Sequence, residues 1–171
     1  QAQSMTLYLR EGNEIAFKHV YYSPTLWAGD PAKEKRFQET TAKLLALRLP
    51  AGAGNVGKVI QSGEPLFFRQ KDDPQLMTSL AKTTGFEVKS MLTVPLKTTI
   101  TLGAIQVLNK EPAAGTDGEF TANDLELLKE VAEYSAALIH RMVDPKFTPG
   151  AEDTARFISR LTELPLVSRA E

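Results

Sequence analysis

Few residues in this chain have the type and spacing that chemistry demands. Its two histidines, His19 and His140, are too far apart in pattern to form a metal-spaced pair, and each is expected to be an ordinary strand or helix residue. Asp72-Asp73 and Glu152-Asp153 are adjacent carboxylates, but sequence neighbours point apart, and a solvated helix start accounts for both pairs. Cysteine is absent. That removes disulfides, thiolate nucleophiles, cysteine-ligated zinc, iron–sulfur clusters and thioether-linked cofactors. Gly52, Gly54 and Gly57 surround a helix start as a phosphate-cradling loop would, yet the Lys-Ser ending of such a loop is missing, so a structural role is expected. No catalytic residue and no metal ligand is predicted.

The bulk properties narrow the field further. At 171 residues and 42% hydrophobic content, the chain is long enough for one domain with a real core. Basic and acidic residues balance at 20 against 21, so charge gives no argument for nucleic acid or an anionic membrane as partner. The longest apolar stretches fall short of the roughly 20 residues that span a bilayer, and no signal-like segment opens the chain. A cytoplasmic setting is the expectation. The sequence opens on Gln1 and stops at Glu171 in mid-pattern, so both ends are expected to be boundaries within a longer chain.

The elements that would position any site follow from periodicity. Met5, Leu7 and Leu9 alternate with Thr6 and Tyr8, and Ile15, Phe17 and His19 repeat the two-residue period after Glu11-Gly12-Asn13, which predicts a hairpin with one buried face. Between Asp30 and Leu47 the period becomes helical, with Pro31 where a first turn tolerates it. Val56, Val59 and Ile60 mark a short helix among glycines, Leu66 to Phe68 a short strand, and Asp73-Pro74 the opening of a helix reaching about Lys82. Ser90 to Leu96 and Ile100 to Leu108 are apolar at nearly every position, as central strands covered on both faces are. Thr121 caps a long helix from Asp124 to Met142, and Phe157, Ile158, Leu161 and Leu164 form a second amphipathic pattern beyond Asp144-Pro145. The order of elements predicts an α+β fold, with an antiparallel sheet and helices on both faces.

Four stretches now carry a family resemblance: Gly54-Asn55-Val56-Gly57-Lys58-Val59 before Ser62-Gly63-Glu64-Pro65-Leu66; Thr84-Gly85-Phe86; Ser90-Met91-Leu92-Thr93-Val94-Pro95-Leu96; and Leu102-Gly103-Ala104-Ile105-Gln106-Val107-Leu108-Asn109-Lys110, leading to Phe120-Thr121-Ala122-Asn123-Asp124. In this order, over roughly residues 4 to 143, the sequence resembles a GAF domain. The resemblance implies a central antiparallel sheet of five or six strands, with a ligand cavity on one face roofed by the mid-chain helices and terminal helices on the other. It implies a GAF-like domain over residues 1–144 whose first helix is missing or shortened. Residues 145–171 would be a linker and amphipathic helix leading to a following output domain.

The resemblance also implies functions. Asn109, Lys110, Phe120 and Asp124 match four of five positions of a motif found in cyclic-nucleotide-binding GAF domains, while Leu125 departs from the final acidic one. Cyclic nucleotide is therefore not favoured, and these four residues are expected to act as a structural clasp between sheet end and last helix. The cavity walls would come from the apolar Phe68, Met77, Phe86 and Met91, with the polar Arg69, Asp73, Ser90, Thr93 and Gln106 placed among them. Family enzymes that reduce methionine sulfoxide, like those members that attach a tetrapyrrole covalently, depend on cysteine, so neither activity is expected. The expectation is a regulatory sensor of an unidentified small molecule, homodimeric through terminal helices and fused to an output domain. The alternative is a ligand-free dimerisation or docking scaffold.

Overall fold

The computed structural model describes residues 1–111, 118–144 and 146, apart from the side chains of residues 77, 79–81 and 83. The predicted pattern from Phe157 to Leu164 lies outside the described residues. Strands β1 (Ala2–Glu11), β2 (Glu14–Tyr22), β3 (Arg48–Pro50), β4 (Leu66–Arg69), β5 (Ser90–Lys97) and β6 (Thr101–Lys110) form one sheet in the order β3-β2-β1-β6-β5-β4. Every pairing is antiparallel. Helices α1 (Pro31–Ala46), α2 (Gly54–Ser62), α3 (Pro74–Thr84) and α4 (Ala122–Val143) complete the α+β architecture.

Both faces of the sheet are covered. On one, Ala132 and Ala136 of α4 bury against Leu92, Val94, Leu96, Ile105 and Val107. On the other, Val56, Val59 and Ile60 of α2 pack with Tyr8, Ile15, Phe17, Val20 and Tyr22, while α1 contributes Phe37 and Leu44 from its half-buried side. Trp27 joins this cluster, its ring 5.8 Å from that of Phe37, so it packs over the hairpin side of the domain. α4 begins as its sequence dictates, with a capping box closed between Thr121 and Asp124.

The hairpin departs from its predicted pattern in two ways. Its register shifts between Leu7 and Tyr8, which pair with His19 and Phe17 and leave Lys18 as an extra residue. A bulge reverses the side-chain alternation beyond it, so Val20 and Tyr22 share the buried face with Ile15 and Phe17 while His19 is exposed. The expectation of one buried face is also corrected. Ser4, Thr6 and Tyr8 are buried and Met5, Leu7 and Leu9 half-buried, because β1 is a central strand between β2 and β6 with helices on both sides.

The three-residue β3, not anticipated from sequence, extends the hairpin edge by pairing Glu14–Ala16 with Arg48–Pro50. Pro95 is tolerated in β5 because β4 pairs only as far as Thr93, leaving the outer side of β5 without a neighbour strand at Pro95.

Gly103 is fixed by close approach. A Cβ there would lie 2.0 Å from the Tyr8 carbonyl oxygen and 3.0 Å from Leu9 Cα, all backbone that cannot swing away. Gly103→Ala is expected to cost at least about 2 kcal/mol of unfolding free energy by forcing β1 and β6 apart. Gly29→Ala, where nothing lies within 4 Å of the added Cβ, is its local comparison. Its cost comes only from the positive φ, and it is expected to be the smaller loss in a urea titration.

Candidate functional site

The same strands present two chemically different faces. Toward α4, β5 and β6 offer the apolar Leu92, Val94, Leu96, Ile105 and Val107, as helix packing requires, with Ser90 at the start of β5 on the same side. Toward α2 and α3 they offer Met91, Thr93, Ala104, Gln106 and Leu108, and β1 adds Ser4, Thr6 and Tyr8. Register places Val20, Thr6, Gln106, Thr93 and Leu66 in one line across β2, β1, β6, β5 and β4. The three central members are polar and buried.

Buried polar groups persist only when hydrogen-bonded. Gln106 supplies the bonds: its Nε2 donates to Thr93 Oγ1 at 3.1 Å and to Met91 Sδ at 3.2 Å, and its Oε1 accepts from the Tyr8 hydroxyl at 3.3 Å. Burial pushes the Tyr8 hydroxyl well above the ordinary tyrosine value, which keeps it protonated and a donor.

The predicted cavity residues divide by strand parity. Phe68, Met91 and Phe86 cluster with Val88 and Leu108 on the same face as Thr93 and Gln106. Ser90 points to the opposite face with Leu92, its hydroxyl 3.4 Å from the Gly118 carbonyl. Arg69, one residue beyond Phe68, turns the same way; it lies 5.5 Å over the Phe67 ring and pairs with Asp72 at 2.8 Å. Asp73 accepts from the Leu76 N–H at 2.9 Å and so caps α3. The Met77 side chain lies outside the described residues. Thr6 and Tyr8 join the row without having been anticipated, because β1 read in isolation assigns its polar alternates to solvent.

At the end of β6, Asn109 adopts φ +50°, a left-handed conformation that Asn tolerates better than most residues. Its Oδ1 accepts from the Lys89 N–H at 2.7 Å and the Ser90 N–H at 3.2 Å. Its Nδ2 donates to the Glu87 carbonyl at 2.7 Å and to Gln3 Oε1 at 2.8 Å. All four hydrogen-bonding positions of one buried amide are therefore occupied. The next residue, Lys110, reaches both carboxylate oxygens of Asp124 at 2.9 Å, and Phe120 is buried beside α4.

The GAF domain family model matches residues 1–139. The chain belongs to the GAF domain family. No curated protein sequence matches it. Among solved structures, it resembles the second GAF domain of DevS from Mycobacterium smegmatis (16% identity, 85% of this chain and 84% of that one, TM-score 0.54). A GAF domain of a two-component sensor histidine kinase from Bacillus halodurans is similar (16%, 83% and 84%, 0.53). So is a type II free methionine-R-sulfoxide reductase from Thermoplasma acidophilum (13%, 82% and 80%, 0.50). At these identities the structures share the fold. GAF domains are sensory and regulatory modules of signalling proteins.

In this GAF domain, no group of three potential metal ligands occurs among the described residues. The buried row has no carboxylate or imidazole, so it offers only neutral donors and acceptors. The clasp is electrostatic. Partial burial raises the Asp124 carboxyl, but hydrogen bonds from Lys110 and from the Thr121 side chain and N–H outweigh that effect and hold it below the usual aspartate value. A lowered folded-state pKa means stability present above the unfolded value and lost as pH falls through the folded one. Asp124→Asn should therefore destabilise by about 1–2 kcal/mol near neutrality. That deficit should shrink below about pH 4, as urea titrations across pH would reveal.

Proposed function

We propose that this GAF domain is a regulatory sensor that binds a small molecule and controls a fused output domain, with α4 mediating dimerisation. The observation that carries this reading is the asymmetry of the sheet. Under α4 lies an apolar layer of Leu92, Val94, Leu96, Ile105 and Val107 with the lone hydroxyl of Ser90 at its edge, whereas the other face buries Thr6, Tyr8, Thr93 and Gln106 together at its centre. An amide whose three described bonds are all to neighbouring side chains can exchange one of them for a ligand group. β6 then connects that event to α4, because Gln106, Asn109 and Lys110 follow one another on a single strand. The absence of cysteine argues against sulfoxide reduction and covalent tetrapyrrole attachment, so the reading is non-enzymatic. No helix among the described residues is long and apolar enough to cross a membrane.

A thermal-shift screen against nucleotides, amino acids and other metabolites tests the sensor. The expected result is a Tm that rises with the logarithm of one ligand's concentration, and a shift that disappears in Gln106→Leu. No shift from any compound at millimolar concentration contradicts it.

A second reading, a ligand-free dimerisation scaffold, is favoured by a separate feature. Leu127, Val131, Leu138 and Met142 form an exposed apolar stripe along α4, with Leu138 58% and Met142 82% accessible. On either reading, wild-type protein should sediment as a dimer and Leu138→Lys as a monomer. Monomers in both cases would remove dimerisation from the account.

A further inference from the structure

A second recess lies apart from the polar row. A cavity of about 240 Å³ opens between α1 and the exit of α3, lined by Leu26, Lys33, Arg36, Phe37 and Thr40 on one side and Thr84, Gly85 and Phe86 on the other. None of Thr6, Tyr8, Thr93 or Gln106 lines it. Lys33, Arg36, Phe37 and Thr40 recur at helical spacing, so one stripe of α1 forms the wall. Phe37 and Phe86 belong to an aromatic cluster, with ring centroids 6.3 Å apart and Tyr22 in contact with both.

The electrostatics of this recess are one-sided. Both of its charged residues are cations, and no carboxylate lines it. Neither the Lys33 ammonium nor the Arg36 guanidinium has an ionic or hydrogen-bonding partner among the described residues. The Thr40 hydroxyl donates to the Arg36 carbonyl at 2.8 Å, which leaves its oxygen lone pairs able to accept. Two unpaired cations above an aromatic floor suit a ligand that is anionic at one end and flat and apolar at the other. A guanidinium fork takes a carboxylate in bidentate fashion, and ring faces take a ring. The volume lies below the roughly 300–1,000 Å³ of drug-sized sites, which limits the ligand to about one ring system and one acid group.

We propose that this cleft binds a small aromatic carboxylate, with Arg36 and Lys33 on the carboxylate and Phe37 and Phe86 against the ring. The site is independent of the sensor reading of the buried row, and the experiment separates the two. Trp27, the only tryptophan of the chain, packs 5.8 Å from Phe37 and reports on the cleft by its fluorescence. Benzoate, phenylacetate and indole-3-acetate are titrated beside their neutral primary amides. Gly85 amide shifts in a nitrogen–proton correlation spectrum serve as second readout. Saturable binding of at least one acid is expected, about tenfold tighter than its amide and weakened by added salt. Arg36→Ala combined with Lys33→Ala should weaken it about tenfold or more. Both side chains are exposed, so the double variant keeps the wild-type thermal unfolding profile. Gln106→Leu should bind the acid as wild type does. Three results would each overturn the proposal: no saturable binding of any acid, equal affinity for acid and amide, or an unchanged Kd in the double variant. A loss of acid binding in Gln106→Leu would also overturn it, by moving the ligand to the buried row.

Discussion

The domain depends on one buried side-chain amide. Asn109 ends the central strand β6 in a left-handed turn and uses all four of its hydrogen-bonding positions on two other segments: Gln3 at the start of β1, and the stretch entering β5, through the Glu87 carbonyl and the Lys89 and Ser90 N–H groups. Backbone N–H groups at a strand entry need partners when buried, and here a side chain supplies them in place of a neighbouring strand. The left-handed turn also sends the chain to Lys110, whose ammonium holds Asp124 in the first turn of α4. Sheet centre, β5 entry and α4 are thereby fixed to one another by two consecutive residues.

Much of the remaining architecture follows from β6. Gly103 lets β1 approach closely, and Ile105 and Val107 build the apolar layer under α4. On the other face, Gln106 organises the polar row. A sheet covered on both sides has no use for a wet face, so its polar residues must find partners in the interior. In this domain Thr6, Tyr8, Thr93 and Gln106 lie together on one side, which distinguishes it from the mainly apolar layer under α4.

The sequence made the family legible because its motifs are those that build this strand and its surroundings. Gly103, Asn109, Lys110 and Asp124 are identifiable by type, and Thr121 with Asp124 announces the start of α4. Strand parity was less legible. The bulge at Lys18 leaves no composition signal, so His19 falls on the face expected for Val20. Thr6 and Tyr8 are indistinguishable from solvent-facing alternates until β1 is known to be central. Arg69 and Ser90 lie within one residue of Phe68 and Met91, yet a period of two puts them on the other side of the sheet. The cleft at Lys33 and Arg36 was hidden for a different reason: α1 has the pattern of an ordinary exposed helix, and only tertiary packing against Phe86 turns one stripe of it into a wall.

The most direct measurement is amide hydrogen exchange in Asn109→Asp compared with wild type. A carboxylate keeps the acceptors for Lys89 and Ser90 but loses the donors to Glu87 and Gln3, and about 2 kcal/mol or more of local stability should go with them. If Asn109 ties the start of β1 to the entry of β5 and, by placing Lys110, to α4, exchange should accelerate jointly at the start of β1, across residues 87–90 and in the first turn of α4, while the β2–β3 edge keeps its wild-type rates. Faster exchange confined to residues 87–90 would contradict the account and reduce Asn109 to a local cap.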